Sequence, residues 1–158
     1  MAQPVRIEGG MGTRLVGATW STDDANRNKF VRLYASGAIT KGDCVAIDQG
    51  TSTYGYGNHV QASISSTAAI KHAMGVAQET VASGKLVTVQ VQGLCTFVKG
   101  DESDLAVGAL VGVSTISGAC MDLDFSDSTD TLALGLCMVD SGADTATHTI
   151  LLINPFNY

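Results

Sequence analysis

The sequence predicts an all-β fold, a compact barrel or sandwich preceded by an extended N-terminal arm. Three features carry this expectation. Apolar and polar residues alternate with a period of two in short runs, most clearly in LVTVQVQG from Leu86. Gly-, Ser- and Asp-rich turns separate the runs, and the 158 residues include 18 glycines but only 2 prolines. No long stretch places apolar residues at helical spacing. A chain of this length fits one domain, or two small lobes sharing a core. It buries roughly 70% of its unfolded surface, so it needs neither metal nor disulfide to fold.

Residues 1–36 read as the arm: GGMGTR is glycine-rich, STDDANRNK is polar, and the short runs RLVGATW and KFVRLYA either pair as strands or lie on a partner. The β domain is expected over 37–158. GAITKGDCVAID carries a turn at Lys41-Gly42-Asp43, then a strand with Cys44, Ala46 and Asp48 on one side and Val45 and Ile47 on the other. A Gly/Tyr loop, TSTYGYGN, leads to the short run HVQASI, and an Ala-rich stretch allows a helical turn around 66–72. From Leu86, Thr88 and Gln90 share a face with it while Val87, Val89 and Val91 take the other, the pattern of a half-buried strand. The second half echoes the first, with AMGVA at 73–77 answered by ALGLC at 133–137. Two weak repeats, 37–99 and 100–154, are expected to bury one apolar face against the other.

Charge divides the chain unevenly. Charged residues are only 15% of the sequence, below the roughly 25% of an average soluble domain, which suits a surface held against a partner. Residues 1–99 hold all nine basic residues and six acidic ones, whereas residues 100–158 hold nine acidic residues and no basic one, for a net charge of −6. Such an acidic half repels phosphate backbones and disfavours nucleic acid as a partner. Arg6, Arg14, Arg27, Lys29 and Arg32 cluster near the N-terminus, able to dock an acidic protein surface or simply solvated. The first residues lack the apolar core of a secretory signal, and no run reaches the roughly 20 apolar residues of a membrane span. Synthesis in the cytoplasm as a soluble chain is the expectation.

Catalytic and metal signatures are sparse. Cys44, Cys95, Cys120 and Cys137 are far apart in apolar runs, without zinc spacing, so buried free thiols are expected. His59, His72 and His148 fall in no metal motif and read as surface or hairpin residues. Neither GxSxG nor a phosphate-binding glycine loop occurs. Oxygen-bearing residues at Asp122, Asp124, Ser126, Ser128 and Asp130 mimic the start of a calcium loop, but Asp127 stands where the loop needs Gly and Ala133 where it needs Glu. A solvated acidic hairpin tip is the simpler reading. No enzyme activity, cofactor or metal is expected.

The order of these motifs resembles the short bacteriophage head decoration (capsid cement) proteins. That order is a Gly-Asp turn before an apolar strand (KGDCVAID), a valine-bearing patch (HVQAS), a Gly-Val-Ala step with an acidic turn and hairpin (MGVAQETVASGK), and a V-x-V strand ending in Gly (VTVQVQG). VGALVGVS, LGLCMVDSG and TILLINP give a second pass, so the likeness spans about residues 37–154. The second pass lacks the Gly-Asp turn and has Val107-Gly108-Ala109 instead.

The resemblance implies a structural virion protein on the capsid exterior, bound to the major capsid protein, often as a homotrimer, without nucleic acid, membrane or catalytic residues. Short side chains lose little entropy on such binding. A ligand of the assembled shell alone stabilises it by mass action. Arg14, Trp20, Arg27, Phe30 and Arg32 are the expected contacts, since exposed aromatic and arginine anchors dominate interfaces. Trp20 serves equally well as a core residue capping one barrel end. The rival reading is a receptor- or glycan-binding fibre module, with Tyr54 and Tyr56 as a protruding contact loop or a plain turn.

Overall fold

The computed structural model describes residues 28–49, 58–64, 66–67, 72–101, 105–123, 132–139 and 147–153. Among them the chain is all-β, with no helix. The strands are β1 (Lys29–Ala35), β2 (Cys44–Ile47), β3 (His59–Ala62), β4 (Gly75–Ala77), β5 (Leu86–Lys99), β6 (Leu110–Val113), β7 (Cys120–Asp122), β8 (Gly135–Cys137) and β9 (Thr147–Leu152).

The first half closes on itself. The order β1-β3-β2-β4-β5 returns to β1 through an antiparallel pairing of β5 with β1, making a five-stranded barrel. β1 and β3 meet in parallel at Tyr34↔His59 and Ala35↔Val60, and the other neighbours are antiparallel. At Tyr34 closure pairs β1 on both sides, which shortens the edge open to foreign strands. Period-two alternation fills the barrel with Val45, Val60, Ala77, Val87, Val89 and Val91. Full burial of a valine contributes roughly 1.5–3 kcal/mol. A one-residue slip would turn these side chains outward, so the pattern also sets the register.

The C-terminal half of β5 starts the same plan again. It pairs antiparallel with β9, then β8, β6 and β7 follow, and a parallel bridge between Gly100 and Cys120 stands where β1 meets β3 in the first half. The registers correspond residue by residue. Cys44↔Val76 is matched by Leu110↔Leu136, and Val45↔Gly75 by Val111↔Gly135. The connecting bonds correspond as well: Gly42 N–H donates to Ala77 C=O and Gly108 N–H to Cys137 C=O, at 2.9 and 2.8 Å.

The halves are joined through a second core. Cys44 and Val76, on the outer face of the first barrel, pack with Cys95, Val98, Leu105, Val111, Cys120 and Ile150. β2 therefore has two buried faces, Val45 looking into the first core and Cys44 into the second.

Three expectations change. Residues 29–35, at the end of the expected arm, are a barrel strand, because Val31, Leu33 and Ala35 alternate into the first core. His59 and His148 are 2% and 1% exposed and so are not surface or hairpin tips. His59 opens β3 with its ring 5.9 Å from that of Tyr34, and His148 sits inside β9 opposite Val98. Of the helical turn allowed at 66–72, only a Thr67 N–H to Ile64 C=O turn is seen, and 68–71 fall outside the described residues.

Candidate functional site

Two of the five expected contact residues lie on β1. Alternation sends Val31, Leu33 and Ala35 inward and leaves Phe30, Arg32 and Tyr34 on the outer side. Phe30 is 51% exposed and Arg32 is also exposed. Their partners on β5 are Gln90 and Thr88. Hydrogen bonds from the Thr88 N–H and hydroxyl hold the Glu79 carboxyl below its usual range, and Arg32 adds attraction in the same direction. An aromatic ring and a guanidinium thus stand exposed on a strand already fixed by the barrel, where a bound partner would cost little backbone ordering. Arg14, Trp20 and Arg27 lie outside the described residues, as do Tyr54, Tyr56 and the acidic stretch beyond Leu123.

A second arrangement of polar groups joins the halves. The turn Thr40–Asp43 is inserted into the second half: Gly42 C=O accepts from Lys99 N–H at 2.9 Å, and Cys44 N–H donates to Gly118 C=O at 2.8 Å. Asp43, 5% exposed, accepts from Thr40 N–H through Oδ2 at 2.8 Å and meets Lys99 Nζ through Oδ1 at 3.3 Å. Lys99 Nζ also donates to Ser117 C=O, and Ser63 Oγ–H donates to Cys44 C=O. Lys41 Nζ lies 4.5 Å from the centre of the Phe97 ring. In the sequence Gly42-Asp43 read only as a turn. Its role in the junction was signalled by the second half, where Val107-Gly108-Ala109 has no carboxylate.

All four cysteines are buried free thiols. The hydrogen bond with Cys120, together with burial, pushes the Cys44 thiol well above its ordinary value, and burial raises Cys95. Thiols so raised stay protonated and are poor nucleophiles. Among the described residues no group of three His, Cys, Asp or Glu is placed to hold a metal ion. His72 accepts from the Leu132 N–H through Nδ1 at 3.1 Å, tying the two halves at their loops.

His148 gives a pH prediction. Burial holds its imidazole below the ordinary 6.5, while Asp101 opposes the shift. The unfolded chain therefore takes up a proton first as pH falls. The stability that His148 contributes is full above about pH 6.5 and is lost as pH drops toward the folded value. The corresponding residue on β5 is the buried Val87. His148→Val is thus expected to flatten the fall in thermal midpoint between pH 7 and pH 5. An unchanged slope would assign the acid sensitivity to other groups.

No protein-family model matches the chain, and no curated protein sequence matches it. Among solved structures it is similar to the N base of the head fiber gp8.5 of bacteriophage phi29, with a TM-score of 0.52 and 16% identity, over 80% of this chain and 95% of that one. At that identity the likeness is one of fold.

Proposed function

We propose that the chain is a structural protein of a bacteriophage particle that binds the outer surface of the head and stabilises the packaged shell. The observation that carries this reading is the fold it shares with a head fiber base, across nearly the whole of that chain. Its motif order and sparse charge agree, as does the outward face of Phe30 and Arg32 on a closed barrel. The major capsid protein is the proposed partner, and a homotrimer the proposed form. Each copy adds a small stabilisation to the assembled state alone, and many copies resist rupture together. No catalytic step belongs to this role.

The test is co-sedimentation of the purified chain with undecorated expanded heads, and separately with unexpanded proheads, of the phage that encodes it. Saturable binding to expanded heads alone supports the decoration role. Removal of residues 1–27 is expected to weaken this binding while leaving the melting transition in place. A longer truncation to residue 34 would take away β1 and confound the result. A truncated chain that decorates heads at full occupancy would remove the arm from the contact.

A second reading is favoured by the structural neighbour, which is the N base of a head fiber. In it, this chain anchors or forms a receptor- or glycan-binding fibre module. Glycan binding in solution without any binding to heads would select it.

A further inference from the structure

The two halves carry the same row of residues across four adjacent strands, and among the described residues most of one row is buried whereas the other is left half-exposed. In the first half the row is Phe30↔Gln90↔Val76↔Cys44. In the second it is Leu94↔Leu151↔Leu136↔Leu110. The second half docks on the inner end of the first row: Val76 and Cys44 are wholly buried in the shared core and Gln90 is 3% exposed, while Phe30 at the outer end stays 51% exposed. The second row occupies the same outward positions, since its neighbours Cys95, Ile150, Cys137 and Val111 all point into the core. Yet its four leucines are only half-buried, and the next outward residues, Met138 and Ile153, are 44% and 45% exposed. Leucine at four aligned outward positions is a poor choice for a face in water, and it is the chemistry of a face that is covered.

We propose that this leucine face is a docking surface for a protein surface whose apolar side chains are surrounded by lysine and arginine. It rests on the head-binding reading, in which that surface belongs to the shell. Charge decides the partner's chemistry. Residues 100–158, which supply most of the face, carry nine carboxylates and no basic side chain. Two such halves meeting face to face would repel each other, and a basic rim would be attracted. A second copy does not offer the opening that receives the first row either. That opening lies between Lys99 N–H and Gly118 C=O, and in the first half the same place is shut by Tyr34 N–H donating to Asn58 C=O at 2.8 Å. With Phe30 and Arg32 on the basic half, the chain has two contact faces of opposite character, as a protein that bridges neighbouring subunits requires.

The experiment compares wild type, the variant Leu151→Gln/Met138→Gln and the rim-only variant Met138→Gln/Ile153→Thr in co-sedimentation with expanded heads. Gln90 and Gln78 are the first-half counterparts of Leu151 and Met138, so glutamine is a side chain this fold already carries at both places. Both variants should bind at least about tenfold more weakly. Wild-type binding should weaken with added salt, and the mass of the free protein in sedimentation velocity should not change. If the first variant fails to fold, the rim-only variant decides. Wild-type binding with unimpaired variants would overturn the face assignment and leave the head-binding reading standing. A fall in free-protein mass in either variant would show that the face is covered by a second copy and would overturn the proposal. Failure of wild type to bind heads would overturn both readings.

Discussion

Alanine at Gly75 or at Gly135 is expected to destabilise the chain by about 3 kcal/mol or more, among the largest effects of any single methyl group in this fold. A Cβ at Gly75 would stand 2.2 Å from the Gln90 carbonyl oxygen and 2.9 Å from Val89 Cγ1. A Cβ at Gly135 would stand 2.3 Å from the Leu151 carbonyl oxygen and 2.8 Å from Ile150 Cγ2. The two collisions are the same collision in the two halves, because Gly75 pairs with Val45 as Gly135 pairs with Val111. In each case the obstacle is backbone of a central strand, which cannot rotate away as a side-chain end would. Relief requires β4 to leave β5, or β8 to leave β9, at a cost in ladder hydrogen bonds and in buried valine or isoleucine contacts.

Gly84→Ala and Gly108→Ala are the controls. Both glycines have positive φ, +77° and +85°, but a Cβ there meets open space. Their expected loss is therefore the left-handed backbone strain alone, about 1–2 kcal/mol. Urea melts with the slope monitored give the four values on one scale. If Gly75→Ala lost no more than Gly108→Ala, the close approach of β4 to β5 would not be the constraint on this position.

These glycines show what the sequence made legible. AMGVA and ALGLC stood out as an echo, and the structure puts their glycines at corresponding places. The all-β class followed from the period-two runs, and the inward valines of β5 from their alternation. What the sequence hid was where β5 ends. Its alternation reads as one strand of ordinary length, LVTVQVQG, but the strand runs 14 residues and serves both halves, with an irregular register between Cys95 and Val98. An irregular register shifts the alternation by a residue, so period-two reading loses the strand there. β1 was hidden differently. KFVRLYA alternates well, but it follows a polar, glycine-rich stretch, and its partner β5 is some sixty residues away, beyond the reach of any local signal.

The outward face of β1 was legible only in part. Phe30 and Arg32 stand out by residue type, and their outward position depends on the register of β1 against β5. The leucine face could not be found in this way. Leu94, Leu110, Leu136 and Leu151 look like core residues one at a time, and they become a surface only when their neighbours Cys95, Val111, Cys137 and Ile150 are seen to fill the interior. The histidines misled because a polar residue amid short runs reads as exposed, whereas His148 falls on an inward position of β9 and His59, on the outer side of β3 beside Tyr34, is buried there all the same.

The junction between the halves gives the second large effect, in Asp43 and Gly118. Asp43→Ala is expected to destabilise by about 2–3 kcal/mol, mainly because it removes the buried acceptor of the Thr40 N–H. The ion pair with Lys99 adds less, about 0.5–1 kcal/mol, because the lysine side chain is 40% exposed and screened by water. Gly118→Ala is expected to lose about 2–4 kcal/mol, from strain at φ +74° and from overpacking. Here the obstacle differs from that at Gly75. A Cβ at Gly118 would stand 2.5 Å from Asp43 Oδ1 and 2.7 Å from its Cγ, so it collides with a side chain and not with a strand.

The two substitutions must therefore couple. Shortening Asp43 to alanine empties the volume that the new methyl would enter, and the double variant should be more stable than the sum of the single losses by about 1 kcal/mol or more. A double-mutant cycle in urea measures this directly. Strict additivity would mean that Asp43 and Gly118 are not in contact in solution, and that the inserted turn Thr40–Asp43 is not what locks the first half to the second. The expected coupling would instead explain why the first half keeps a Gly-Asp turn and the second does not. In the first half the carboxylate is buried against Gly118 and Lys99, whereas Ala109 at the corresponding place has no such partner to bind.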